Sequence, residues 1–235
     1  MPKSTVEEIR ARFDADVERF SNRQTGQTAA MDSALCMEMI ARTAASVTPS
    51  AAAVADLGCG AGNYTLALLD HLPHLQATLI DLSRPMLDRA AQRVSAATSG
   101  AVRTIQADIR DLAVDEGSVD IILAAAVLHH LRDDGEWDAV FEKLHRWLRP
   151  GGGLWIYDMV THDSAAVQAL QWARYGEYLA GYQGDAYREK VFAYIEKEDT
   201  PRPLPWQLDR LKAAGFRSVE ILHKNGPFAA FGGIR

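Results

Sequence analysis

Apolar residues near the start of the chain recur at helical spacing. Val6, Ile9, Phe13, Val17 and Phe20 lie three or four positions apart, which predicts one amphipathic helix from Val6 to about Phe20. Ser21 to Gly26 breaks it, and Ala34 to Ala45 reads as a second helix. From Ala53 onward, short apolar runs alternate with helical stretches. Val54–Leu57, Ala77–Asp81, Val102–Gln106, Val119–Ala124 and Leu154–Asp158 read as strands. Tyr64–Leu72 reads as a helix between the first two strands. Ser83 caps another, with Pro85 in its first turn. Trp137, Val140, Phe141, Leu144 and Leu148 give the next its buried face, and Arg149-Pro150-Gly151-Gly152 ends it. This alternation predicts an α/β fold whose parallel sheet carries helices on both faces.

The pattern then changes. Ala165 to Glu196 is helical and rich in aromatics, which predicts an insertion after the fifth strand, over about 160–203. Leu208, Leu211 and Ala214 mark a helix that stops at Gly215. Two apolar segments, Ser218–Leu222 and Phe228–Phe231, flank Lys224-Asn225-Gly226-Pro227. Asn-Gly between apolar runs signals a hairpin, so the last strand is expected to run antiparallel. The expected organisation is an N-terminal helical cap over 1–50 and a ligand-binding domain over 51–235.

With 235 residues, 48% hydrophobic and 24% charged, the chain suits one sizeable domain of a soluble protein. Its longest apolar run, Ile121 to Leu128, fits a buried strand rather than a membrane span. The N-terminus lacks the apolar core of a signal peptide. Cys36 and Cys59 show no metal-ligand spacing, so no metal is expected and the location expected is the cytoplasm. A net charge of −6, without a basic run interleaved with aromatics, argues against a nucleic-acid partner.

The chemistry begins at Asp56-Leu57-Gly58-Cys59-Gly60-Ala61-Gly62, between a strand and a helix. Glycines there let the backbone approach a ligand and aim helix N–H groups at it. A dinucleotide fingerprint would need glycine at Asn63 or Thr65, and no Gly-Lys-Ser/Thr follows. Asp81, ending the second strand, is suited to accept hydrogen bonds from a ribose diol; the alternative, capping the next helix, is already met by Ser83. Leu82 and Met86 are placed to flank an adenine, and Asp108, at the end of the third strand, to accept from its amino group. Three successive strand ends thus carry a glycine loop, Asp81 and Asp108, at the carboxyl edge where such sheets bind ligands.

These motifs resemble the class I S-adenosylmethionine (SAM)-dependent methyltransferase family over Val54 to Asp158, and the terminal hairpin agrees with that family's reversed last strand. The resemblance implies a Rossmann-like fold and SAM as cofactor. The glycine loop with Asp56, Gly58, Cys59, Gly60 and Asn63 would hold the methionine moiety, Asp81 the ribose, and Asp108 with the Ile109 backbone the adenine. Ala124 and Ala125 would present main-chain groups to the methionine amine. Phe20 and Arg23 would close the other side, Arg23 facing either the cofactor carboxylate or solvent.

Methyl transfer is an in-line displacement for which the protein chiefly supplies alignment. His129 follows the fourth strand and is the candidate general base; the alternative is that Val127–Leu131 is a structural turn. His130, Trp172, Tyr175 and Tyr182 are the candidate acceptor-pocket residues, although a stripe at helical spacing also serves plain packing. Phe13-Asp14 and the segment from Leu211 to Phe231 are also similar to the enzymes that use carboxy-SAM to modify the tRNA wobble uridine. That subgroup holds the extra carboxylate with an arginine, where this chain has Phe192, and its asparagine falls near Ala125. The expected activity is therefore methyl transfer from SAM to a small-molecule acceptor. Alternatives are the carboxy-SAM, wobble-uridine chemistry and a non-catalytic SAM-binding regulator. A homodimer is compatible with the sequence.

Overall fold

The computed structural model describes residues 3–23, 27–113 and 115–235. Part of the break expected after Phe20, Gln24 to Gly26, lies outside them. The seven strands are β1 (Ala53–Leu57), β2 (Gln76–Asp81), β3 (Val102–Gln106), β4 (Val119–Ala125), β5 (Leu148–Met159), β6 (Arg217–Asn225) and β7 (Phe228–Ile234). They form one sheet in the order β3-β2-β1-β4-β5-β7-β6. The pairs from β3 through β5 are parallel. β7 runs antiparallel to both neighbours, as Asn225-Gly226 predicts. Gly226 takes φ +55° in that turn, a conformation open to glycine at little cost. The reversal between β1 and β4 puts the switch point beside the glycine loop, and ligands bind such sheets at that crevice.

Helices cover both faces. α3 (Ser33–Val47), α4 (Asn63–Leu69) and α5 (Arg84–Ser95) bury Ile40, Leu68, Leu87 and Val94 against Leu79, Ile121 and Leu123. α6 (Asp134–Trp147) and α9 (Leu204–Ala213) bury Trp137, Phe141, Leu144 and Leu211 against Leu57, Ile122 and Ile156. β1 and β4 thus carry apolar residues on both sides, as a central parallel strand requires. The insertion folds as α7 (Ala165–Gln183) and α8 (Asp185–Glu198), which pack Tyr175, Leu179 and Ile195 onto the α3 side.

One sequence expectation fails at the start. The single helix over Val6–Phe20 is two, α1 (Val6–Asp14) and α2 (Val17–Ser21), broken at Ala15-Asp16. Seven residues of straight helix span about 10 Å, whereas the break brings the Phe13 and Phe20 rings to 5.7 Å. Both apolar faces can then turn toward the carboxyl edge. A capping box between Thr5 and Glu8 starts α1, satisfying two of its orphan donors.

Among the described residues no helix is long and apolar enough to cross a membrane.

Candidate functional site

Gly58, Gly60 and Gly62 take φ of +61°, +50° and +82°, so the loop after β1 uses a left-handed backbone at three alternate positions. They are not equivalent. A Cβ on Gly58 would lie 2.7 Å from the Val127 side chain and one on Gly62 3.0 Å from Val94, while one on Gly60 would meet nothing within 4 Å. Gly58 and Gly62 therefore serve packing, and Gly60 faces open space at the carboxyl edge. Beneath the loop Asp56 is buried and accepts the Thr65 hydroxyl at 2.6 Å. Burial raises its pKa to about 7; the Thr65 bonds act the other way, and the charge of Asp81 adds to the rise. The Cys59 amide donates to the Ile80 carbonyl at 2.9 Å. Its buried thiol is pushed well above the ordinary range by desolvation and by Asp81 and Asp56.

Asp81 joins the first two strand ends. One carboxylate oxygen accepts the Gly60 amide and the other the Ser83 amide, each at 2.8 Å. Burial raises its pKa against these backbone bonds. Ser83 caps α5 by accepting from the Met86 amide at 3.3 Å, while Asp81 braces the same helix start through the Ser83 amide. Met86 is buried, and the Leu82 carbonyl accepts the Gln106 side chain at 2.9 Å. Asn63 opens α4. Its side chain donates to the Phe20 carbonyl at 2.7 Å and accepts from Arg93 at 2.9 Å, tying α2 to the loop.

Asp108 lies where β3 ends but is engaged by Arg110, which contacts it at 2.6 Å and reaches Glu136 at 3.0 Å. Burial works to raise its pKa, yet the Arg110 bonds outweigh it and hold the carboxyl below its ordinary value. A cleft of about 610 Å³ opens beside this pair, lined by Val6, Glu7, Asp108, Arg110 and Glu136 among others. The Ile109 carbonyl accepts Lys143 at 3.1 Å. Ala124 and Ala125 pair with Ile156 and Tyr157 at the end of β4, and Ala126 follows with φ +53°.

Not every expected residue gathers here. Arg23 forms an exposed ion pair with Asp70 at 2.8 Å, past the last residue of α4 and away from its loop end. Tyr175 is buried, donates to the Ala29 carbonyl at 2.9 Å and packs against Phe228. Trp172 stacks on Phe192 at 4.9 Å. Tyr182 is exposed, beside Tyr187. The stripe mostly fastens the insertion to the sheet.

A group that the sequence reading leaves largely aside surrounds His129. Asp158, buried at the end of β5, accepts the Leu128, His129 and Met159 amides at 2.8, 3.3 and 2.7 Å and also contacts His129 Nδ1. His129 Nε2 lies 3.6 Å from Asp199 Oδ1, and His130 Nδ1 lies 3.4 Å from the same oxygen. Burial alone would lower the His129 pKa, but Asp158 and Asp199 outweigh it and raise it to about 9. Burial raises Asp199 to about 6, and lowers His130 well below its ordinary value with the help of the His129 charge. Both ring nitrogens of His129 thus face carboxylates. Asp158, which ends the fifth strand read from the sequence, was legible as a strand-end carboxylate. Asp199, which follows α8, had no signal beyond its charge.

The N-terminal helices lie across this edge. Phe13 meets the His130 ring at 6.3 Å, and Arg12 sits over the Phe13 and Tyr194 rings while pairing with Glu198 at 3.0 Å.

Residues 54–152 match a family model described as a methyltransferase domain. The chain is 34% identical over 103 residues to a malonyl-[acyl-carrier protein] O-methyltransferase of Paenibacillus, covering 43% of this chain and 36% of that one. It is 31% identical over 194 residues to a carboxy-S-adenosyl-L-methionine synthase of Shewanella amazonensis, covering 80% of this chain and 78% of that one. The fold matches the Burkholderia thailandensis 1,6-didemethyltoxoflavin-N1-methyltransferase, solved with bound 1,6-didemethyltoxoflavin and S-adenosylhomocysteine, at a TM-score of 0.63. That match spans 100% of this chain and 92% of the other at 18% identity. The chain belongs to the class I SAM-dependent methyltransferase family. Its cofactor is S-adenosylmethionine, and the chain leaves open space above Gly60, whose amide Asp81 holds.

Proposed function

We propose that the protein transfers a methyl group from SAM to a small-molecule acceptor by in-line displacement. The observation that carries this reading is the joint held by Asp81. Its carboxylate fixes the Gly60 amide on one side and the start of α5 on the other, while Gly60 leaves space above the loop. In the assignment favoured here, Asp81 receives the ribose, Asp56 to Asn63 enclose the methionine end, and Leu82, Met86, Asp108 and Ile109 border the adenine. Ala124 and Ala125 lie along the methionine amine, with Phe20 above. Residues 1–50 act as a cap. His129, its ring fixed by Asp158, positions the acceptor side rather than serving as base, and alignment alone is worth up to about 7–11 kcal/mol of barrier.

The test is transfer of label from methyl-labelled SAM to a panel of small carboxylic acids, phenols and heterocyclic amines. Labelled product together with S-adenosylhomocysteine supports the reading. Tight SAM binding with no transfer to any compound would turn it toward a non-catalytic SAM-binding regulator.

A second reading, carboxy-SAM chemistry, is favoured by the length over which the Shewanella synthase aligns. Against it, Phe192 stands where the wobble-uridine subgroup carries its arginine and stacks on Trp172. Arg188 nearby turns outward to Asp185 and Glu189. Mass spectrometry of the co-purified nucleotide separates the two.

The cytoplasm is the location inferred, in keeping with two buried free thiols, Cys36 and Cys59. A homodimer would use the outer face of α7, where Val167, Leu170 and Tyr182 are exposed; a monomer in sedimentation equilibrium at assay concentration would remove it.

A further inference from the structure

We propose that His129, His130 and Asp199 form a site for one divalent transition-metal ion of the zinc or iron class, set at the acceptor side of the carboxyl edge. Two imidazoles and one carboxylate are a donor set that such ions accept, and three protein ligands leave coordination positions open. The spacing fits. Ligands at 2.0–2.2 Å in a tetrahedral shell stand roughly 3.3–3.6 Å apart. His129 Nε2 and His130 Nδ1 stand 3.6 and 3.4 Å from Asp199 Oδ1, and the three ligand atoms all lie within 4.8 Å of one another.

Hydrogen bonding points the same way. Asp199 Oδ1 and both ring nitrogens of His130 are buried and make no hydrogen bond of normal geometry. Buried polar atoms are rarely left so, and an ion is one of the partners that satisfies them. His129 Nδ1 meets Asp158, which fixes the ring so that Nε2 is the nitrogen aimed at Asp199. A carboxylate behind a ligating histidine is the usual support of such a site, and Asp158 is itself held by three backbone amides.

The local charge is compatible with a cation. Arg12 and Arg132 face the cluster, the first pairing with Glu198 and the second bonding the Glu198 carbonyl. Three carboxylates, Asp158, Asp199 and Glu198, stand against those two guanidinium groups. A bound ion would stand against Asp158 and Asp199. An open coordination position would take an oxygen of the acceptor and so favour acceptors bearing a carboxylate, enol or phenol. That last step rests on the methyl-transfer reading; ion binding itself does not.

The experiment is titration of chelator-treated, metal-free full chain with Co²⁺, followed by visible absorption, without cofactor or acceptor. One equivalent should give the ligand-field bands of a four- or five-coordinate ion, abolished by added Zn²⁺. Asp199→Asn and His130→Gln should each weaken binding at least tenfold, and Asp158→Asn about 10- to 100-fold. Should the Asp199 variant not fold, His130→Gln, whose parent ring makes no hydrogen bond of normal geometry, carries the comparison. No band at several-fold excess of Co²⁺, or a band that these substitutions leave unchanged, overturns the site. Either outcome leaves methyl transfer to be judged by its own label assay.

Discussion

The carboxylate of Asp81 accepts the backbone amide of Gly60 at 2.8 Å, so the group assigned to the ribose also holds the loop assigned to the methionine. Removing it strikes both. A hydrogen bond to a charged group is worth about 1.5–3 kcal/mol, which is roughly 10- to 150-fold in affinity. Asp81→Ala should weaken SAM binding by at least that range, and Asp81→Asn by less. Calorimetry giving unaltered affinity for Asp81→Ala would remove the ribose assignment.

The glycines of the loop should separate stability from binding. Gly58→Ala forces a Cβ to 2.7 Å from Val127 at φ +61°, so it should destabilise the fold by about 1–3 kcal/mol. Gly60→Ala meets no atom and should cost only the left-handed backbone, about 1–2 kcal/mol. Its methyl group would project into space assigned to the cofactor, so it should lose more SAM affinity per unit of stability than Gly58→Ala does. Thermal melts paired with binding isotherms check this; equal ratios for the two variants would argue that Gly60 does not face the ligand.

Asp56 predicts a pH dependence with a definite sign. Its folded pKa is raised to about 7 against about 3.9 in an unfolded chain. The folded state therefore holds the proton more tightly. Its contribution to stability is complete below about pH 4 and is lost as pH rises through 7. Asp56→Asn, which retains an acceptor for Thr65, should remove that part of the slope. Denaturant unfolding of both proteins from pH 4.5 to 8 measures it, and superimposable slopes would contradict the assignment.

Asp158 accepts three amides and one imidazole contact while fully buried. Asp158→Ala leaves all these donors unpaired and should cost about 3–5 kcal/mol, the range for breaking a buried charged pair. Urea unfolding should show it; a loss below 1 kcal/mol would mean that water replaces the carboxylate readily.

Arg23 makes the opposite case. Its pair with Asp70 is exposed on both sides, and such pairs contribute about 0–1 kcal/mol. Arg23→Ala should leave SAM affinity unchanged within twofold and stability nearly so. A tenfold loss of affinity would return Arg23 to the cofactor.

Short apolar runs made the sheet readable because the central strands β1 and β4 are apolar on both faces, and turn chemistry gave the reversed β7 through Asn225-Gly226. Asp81 was legible because it ends a strand and Ser83 already fills the cap. The break at Ala15-Asp16 was not, since the Phe13–Phe20 ring contact that accompanies it is tertiary. Nor was the engagement of Asp108 by Arg110, which is held in turn by Glu136, a partner whose reach depends on how α6 sits against the end of β3. Asp199 lies 70 residues after His129, and only the docking of α8 brings their side chains together. Tyr175 and Tyr182, seven positions apart on one helix, have opposite fates: Tyr175 packs against Phe228 of the sheet, while Tyr182 is exposed beside Tyr187 of α8.

Arg12 between the Phe13 and Tyr194 rings, with Glu198 behind it, has a kinetic consequence. It is a clasp between the first helix and the insertion, fastened over the edge where both reactants must sit. In the methyl-transfer reading the clasp gates this edge, so loosening it, as in Arg12→Ala, should raise the product off-rate read by stopped flow; an unchanged off-rate would mean that the clasp does not gate the edge.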